Sequence, residues 1–218
     1  MEQRILLKNY YNKLLKYFGN HHWCPGETPF EVMVGAVLTQ NTNWQNVARA
    51  IDNLKNFNLL DPYKIHELDH DTLAMAIKPA GYFNVKAKRL KNFVGWFVEN
   101  YHGEIRKLKQ RDPSALREEL LSISGIGKET CDSILLYALN IPTFVVDAYT
   151  YRVFSRHQLV PEETSYDEMK EFFESNLSKN KNLFNEYHAL IVAVGKEFCR
   201  TKPKCEMCPL KCYLPSNF

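Results

Sequence analysis

The chain has 218 residues, 45% of them hydrophobic and 24% charged, and 28 basic against 25 acidic side chains leave a net charge of +3. That balance excludes a disordered chain, a collagen and a coiled coil, and so small a positive surplus singles out no partner on its own. No apolar run approaches the roughly 20 residues that cross a bilayer, and the charged start Met1-Glu2-Gln3-Arg4 lacks a signal-peptide pattern, so a cytoplasmic protein with no membrane partner is expected.

Apolar residues recur at helical spacing almost from end to end, so the fold class expected is all-α, with about ten helices. Ile5, Leu6, Tyr10, Leu14, Tyr17 and Phe18 line a first helix that Gly19-Asn20 stops. Thr28-Pro29-Phe30-Glu31 combines a capping box with proline at the first helical position, so a second helix starts near residue 29. Thr42-Asn43-Trp44-Gln45 repeats the signal after a turn near residue 41, and Asp61-Pro62, Asp71-Thr72 and Asp112-Pro113 open shorter helices. Ala87, Leu90, Phe93, Val94 and Phe97 mark a longer amphipathic helix that ends before Gly103. Later helices are expected over 128–139, 147–157, 165–177 (with a Ser165-x-x-Glu168 box) and 182–198. The apolar stretch Ile141 to Val146 contains a proline and reads as a connector rather than a strand.

Three constellations carry chemistry. In Ser124-Gly125-Ile126-Gly127-Lys128-Glu129-Thr130, two helices flank a tight turn whose glycines permit positive φ and leave N–H groups uncovered at a helix start. A nucleic-acid phosphate suits such a turn, with Lys128 beside it; an ordinary helix corner fits the Gly-x-Gly equally well. Asp147 follows apolar residues and precedes an amphipathic helix. A cap alone accounts for an Asp there. A carboxylate held among apolar neighbours also has the chemistry to stabilise a developing cation or to orient water. Cys199, Cys205, Cys208 and Cys212 lie within fourteen residues, among Lys196, Arg200, Lys202, Lys204 and Lys211. In a reducing compartment such a cluster binds metal, either a [4Fe–4S] cluster or tetrahedral zinc. Only one C-x2-C pair is present, which favours the iron–sulfur cluster. Cys24 and Cys131 read as ordinary buried residues.

The order of these motifs resembles the endonuclease III-like DNA glycosylases of the helix–hairpin–helix/Gly-Pro-Asp superfamily. The resemblance runs from about Phe30 to Cys212. It is carried by Gly35-Ala36-Val37-Leu38-Thr39-Gln40-Asn41-Thr42, Gly81-Tyr82-Phe83-Asn84-Val85-Lys86-Ala87, the hairpin, Val146-Asp147-Ala148-Tyr149-Thr150-Tyr151-Arg152-Val153 and the cysteines. It implies two domains: a six-helix barrel over 24–138, and a discontinuous helical domain of 1–23 and 139–218 that carries the iron–sulfur loop. It implies a monomer acting on damaged double-stranded DNA at the nucleoid. Asp147 would be catalytic, Gly125, Gly127, Lys128 and Thr130 would meet phosphate, and Gln40 and Tyr82 would fill the stack vacated by an extruded base. The basic runs Lys86, Lys88, Arg89, Lys91 and Arg106, Lys107, Lys109, Arg111 suit phosphate contacts or solvated helix faces.

Two departures refine this. Bifunctional members carry a lysine nucleophile at the second residue after the hairpin's last glycine, where this chain has Glu129. Lys128 is one position earlier, about 100° away around a helix, which argues against a Schiff-base lyase step. The cysteine gaps are also shorter than the family's usual ones, although the shortest still reaches about 14 Å when extended. Trp23-Cys24-Pro25 and Thr39-Gln40-Asn41-Thr42-Asn43-Trp44 are similar to the 3-methyladenine DNA glycosylases of the endonuclease III type. That likeness implies a stacking slot of Trp23, Pro25 and Trp44, in which indole faces attract a cationic methylpurine. The expected activity is monofunctional release of alkylated purines. The alternatives are a glycosylase for mismatched or oxidised bases, a lyase with a displaced lysine, and a non-catalytic DNA-binding protein.

Overall fold

The structure of the protein is a computed structural model that describes residues 2–21, 23 and 26–215. Cys24 and the expected pocket residue Pro25 lie outside the described residues. Among the described residues every regular element is helical: α1 (Glu2–Phe18), α2 (Pro29–Leu38), α3 (Trp44–Asn56), α4 (Pro62–Glu67), α5 (His70–Ala76), α6 (Phe83–Tyr101), α7 (Ile105–Lys109), α8 (Pro113–Ser122), α9 (Lys128–Ser133), α10 (Ala148–Arg156), α11 (Tyr166–Asn176) and α12 (Lys181–Glu197). No helix is long and apolar enough to cross a membrane.

Side-chain caps set most of the starts, because each accepts N–H groups that the first turn leaves unpaired. Thr28 accepts from Glu31 N at 3.2 Å, and Ser165 and Glu168 form the reciprocal box. One expected cap is displaced. Asp69, not Asp71, opens α5, because its carboxylate reaches the Thr72 N–H at 2.9 Å.

The chain divides into two compact units, 1–23 with 142–218, and 24–141. The second is built around α2, whose nearly continuous apolar sequence buries eight of its ten residues and touches α3, α6 and α9. A helix apolar on all sides belongs in a core. Lys91 of α6 donates to the carbonyls of Ile65 (3.3 Å) and Leu68 (2.6 Å), satisfying acceptors at the end of α4. After α9 the helix widens into a π segment, Ile134–Ala138, and Ile141 N turns back to Leu135 O at 2.9 Å.

In the first unit α12 packs on α1 and α10. The connector before α10 does not pair as a strand, because side chains take its backbone groups. Glu174 accepts from Phe144 N (2.7 Å) and Thr143 Oγ1 (3.1 Å), and Tyr166 Oη accepts from Val146 N (3.4 Å). Phe144, Val145 and Val146 are fully buried, with Phe144 stacked on Phe173 at 3.9 Å between centroids. This packing delivers Asp147 to the start of α10.

Candidate functional site

Asp147 is the N-cap of α10, and its two carboxylate oxygens are used differently. Oδ1 accepts from Thr150 N (2.8 Å) and Thr150 Oγ1 (2.9 Å). Oδ2 faces His188 Nε2 of α12 at 3.6 Å, and both side chains keep 12% of their surface exposed. Burial is the largest influence on this carboxyl and alone would push it up. The charge and contact of His188, joined by the two bonds from Thr150, outweigh burial and hold the carboxyl below the usual carboxylate range. The site therefore offers a fixed anion with one oxygen turned away from its cap. His188 escaped the sequence reading because nothing local links it to a residue 41 positions earlier.

The hairpin between α8 and α9 belongs to the other unit. Only one of its glycines needs positive φ. Gly125 sits at φ +99°, and a Cβ there would collide with the stem of Arg89. Gly127 has φ −93° and would find no heavy atom within 4 Å of an added Cβ, so its missing side chain leaves open space at the start of α9. Lys128 and Glu129 are exposed. Thr130, expected at the phosphate, is instead buried, and its hydroxyl accepts from Gln40 Nε2 at 3.0 Å. Gln40 Nε2 also donates to Gly125 O at 3.1 Å, so the expected stack-filling amide rests on the hairpin. Arg117 of α8 and Asp132 of α9 clamp the two helices through a two-pronged ion pair of 2.8 and 3.1 Å, with Asp132 fully buried.

The aromatic candidates divide by unit. Tyr82 caps α6 at φ +47° with 72% of its surface exposed. A large side chain at positive φ and open to solvent is an uncommon combination. Trp44 is half-buried at the start of α3, and a Cβ on Gly35 would come within 3.2 Å of its Cη2. The absent side chain at Gly35 thus makes room for the indole. Trp23, in the first unit, is half-buried, and its carbonyl accepts from Asn185 Nδ2 at 2.9 Å.

The basic run of α6 is mixed, with Lys86 buried, Arg89 and Lys91 half-buried and Lys88 exposed. Lys86 is buried with its Nζ on Ala80 O at 2.7 Å, and burial, aided by the Arg89 charge, pushes it down to about 8. The run from Arg106 is a solvated face in which Lys107 pairs with Glu104 at 2.9 Å and Arg111 pairs with Glu119.

Cys199, Cys205 and Cys208 line one small cavity with Arg156, His157 and Lys211. Arg156 Nη1 lies 3.4 Å from Cys199 Sγ and also bonds Arg200 O at 2.6 Å, while Arg152 holds Gly195 O at 3.1 Å. Burial, then the neighbouring Cys199, Cys205 and Cys212, push the Cys208 thiol up to about 11 against a lowering bond from Leu210. Among the described residues no three His, Cys, Asp or Glu side chains converge on a single-ion site.

Comparison with known proteins gives these arrangements a family. The model of the HhH-GPD superfamily base excision DNA repair proteins matches residues 34–179. The Methanocaldococcus jannaschii protein MJ1434, named as a candidate DNA repair glycosylase, is 55% identical over 202 residues, 92% of either chain. The H. pylori 3-methyladenine DNA glycosylase MagIII, solved bound to 1,N6-ethenoadenine, is 31% identical with a TM-score of 0.74, over 89% of this chain and 97% of its own. A trapped endonuclease III–DNA covalent intermediate shares the fold, with a TM-score of 0.82 at 21% identity over 97% and 95% of the two chains. The chain belongs to the HhH-GPD superfamily of base excision DNA repair proteins and is an endonuclease III-like DNA glycosylase.

Proposed function

We propose that the protein is a monofunctional glycosylase that extrudes alkylated purines from damaged double-stranded DNA, 3-methyladenine foremost, and leaves an abasic site. The observation that carries this is the Asp147 carboxylate, fixed through Oδ1 and held ionised beside His188. An anion so placed stabilises the sugar cation that forms as the base departs, and it orients the attacking water. A 3-methylated purine is already cationic, so it leaves without a general acid. The base must first rotate out of the stack, a task that suits the exposed Tyr82; the Gln40 amide is already engaged at both ends by Arg89 and the hairpin. Glu129, exposed in the first turn of α9, cannot form an imine, which supports hydrolysis over lyase chemistry. The likeness to MagIII over nearly the whole chain supports alkylated purines as the substrate class. A second reading, a bifunctional enzyme for oxidised or mismatched bases, draws on the fold likeness to endonuclease III; Glu129 counts against it.

The test is a panel of duplexes carrying methylated purines, oxidised pyrimidines or mismatches, with the released base identified. Preferred release of thymine or oxidised pyrimidines would overturn the alkylpurine assignment. Trp44→Ala is expected to lower single-turnover release of 3-methyladenine about tenfold, since one desolvated cation–π face is worth about 1–2 kcal/mol. Trp44→Phe keeps a flat electron-rich face over Gly35 and should be milder. Unchanged release by Trp44→Ala would remove Trp44 from the pocket.

Gly127→Val is expected to weaken binding to every duplex alike, because phosphate contacts carry no sequence information. Its melting temperature should stay near that of the wild type, since a Cβ at this position meets no neighbour within 4 Å and the φ of −93° suits any residue. Competition with undamaged duplexes and thermal unfolding check both parts.

The chemistry of the four cysteines, three of which line the cavity, suits an iron–sulfur cluster. Cys199, Cys205, Cys208 and Cys212 would hold it, and the cationic Arg156 and Lys211 suit its negative charge. Bound there, the cluster supplies a cross-link for the C-terminal loop. Protein purified anaerobically should be brown with about four irons per chain. Stoichiometric zinc in a colourless preparation would contradict this.

A further inference from the structure

The contacts around Gly125 form one connected set. The methylene stem of Arg89 lies directly beneath Gly125, where a Cβ would strike it. The Arg89 guanidinium donates to Gln40 Oε1. Gln40 Nε2 then donates to Gly125 O at 3.1 Å and to Thr130 Oγ1 at 3.0 Å. Asn92, also on α6, donates its Nδ2 to Ser124 O at 2.9 Å. All of these residues lie in the unit 24–141.

We infer that Arg89 is a positioning residue that holds the phosphate-gripping hairpin in shape through Gln40, and that it does not itself contact DNA. The reasoning starts from donor chemistry. A guanidinium has five N–H donors and no acceptor, so only the carbonyl end of the Gln40 amide can face it. The NH2 end must then point the other way, at the Gly125 carbonyl and the Thr130 hydroxyl. Without Arg89 the amide is free to turn over and would set its carbonyl against that of Gly125. Arg89 therefore fixes which end of Gln40 meets the hairpin, while its stem supports the turn from below. Gly125 is required twice, by its positive φ and by this stem.

The inference rests on the proposal that the hairpin grips duplex phosphates, and the experiment separates the two. Arg89→Met keeps most of the stem and removes the guanidinium; Gln40→Leu removes the amide. Affinity for an undamaged duplex is measured across a series of salt concentrations for the wild type, both variants and the double variant. Each single variant should bind about five- to tenfold more weakly, the loss of one or two ordinary hydrogen bonds. The double variant should be no worse than the weaker single. The slope of log affinity against log salt should be unchanged in Arg89→Met, because no phosphate contact is lost.

A slope reduced by about one, with losses that multiply in the double variant, would overturn the inference and make Arg89 a direct phosphate contact. Hydrogen exchange of the 125–127 amides in the free protein supplies a readout that needs no DNA. It should quicken in Arg89→Met and in Gln40→Leu, and exchange identical to the wild type in both would also overturn the inference. Should Arg89→Met fail to fold, Arg89→Leu, equally uncharged and without a donor, takes its place in both measurements, with the same expected and overturning results. A wild type that bound no duplex would sink the hairpin's proposed role, while the exchange result would still decide whether Arg89 holds the turn.

Discussion

Asp147→Asn is expected to fold, to bind lesion-containing duplex nearly as well as the wild type, and to release base about a thousandfold more slowly or worse. Asparagine caps helices as well as aspartate does, and its Oδ1 can still accept from Thr150 N, so α10 keeps its start. What disappears is the negative charge on the oxygen beside His188, the charge assigned to the developing sugar cation. Fixed electrostatic groups of this kind are worth a hundredfold to a thousandfold in rate even when neutral, and a full charge in a half-enclosed site should exceed that. Single-turnover release and a binding isotherm on the same duplex separate the two effects. Near-normal release would reduce Asp147 to a cap.

The same variant carries a pH signature. The Asp147 carboxyl titrates lower in the folded chain than in the unfolded one, so between those two values the unfolded state holds more protons. The stabilisation is complete above the unfolded value of about 4 and is lost as the pH falls through the folded value. The stability gap between the wild type and Asp147→Asn should therefore be widest near neutrality and shrink in acid.

Asp132→Asn is expected to be the most destabilising single change near the hairpin. Asp132 is fully buried, and both its oxygens hold Arg117 across the α8–α9 corner. An asparagine keeps the shape but removes the buried negative charge that Asp132 sets against the guanidinium, a loss of about 3 kcal/mol. For a chain of this length that lowers the melting temperature by on the order of 10 °C. A fall of only a degree or two would show that the corner is held by its apolar contacts instead.

Much of the helical plan was legible because its signals are local. Pro29 and Pro113 with the caps before them, the Ser165–Glu168 box and Gly19 each act within one turn of their own position. Asp71 was read as a cap for the same reason, although Asp69 two positions earlier suits one equally and its reach to Thr72 N makes it the cap. The five-residue α7 buries a single residue, Leu108, too little for a periodic pattern. Within the site, motif order marked the hairpin and Asp147. What escaped were partnerships between distant positions, such as His188 with Asp147, Asp132 with Arg117 and Arg89 with Gln40. Two of the three lysines in the α6 run take neither of the roles expected of them, whereas Lys88 is exposed. Lys86 and Lys91 spend their charge on backbone carbonyls inside the fold, which composition cannot distinguish from a solvated face.

The proposed activity is tested most directly by one reaction, the protein under single turnover on a duplex carrying 3-methyladenine, with the released base, the strand and any borohydride-trapped adduct analysed together. The account predicts free 3-methyladenine, an intact strand that breaks only after alkali, and no covalent complex, because Glu129 stands where an imine-forming lysine would be needed. A strand cleaved without alkali together with a trapped protein–DNA adduct, or no release of 3-methyladenine at all, would contradict it.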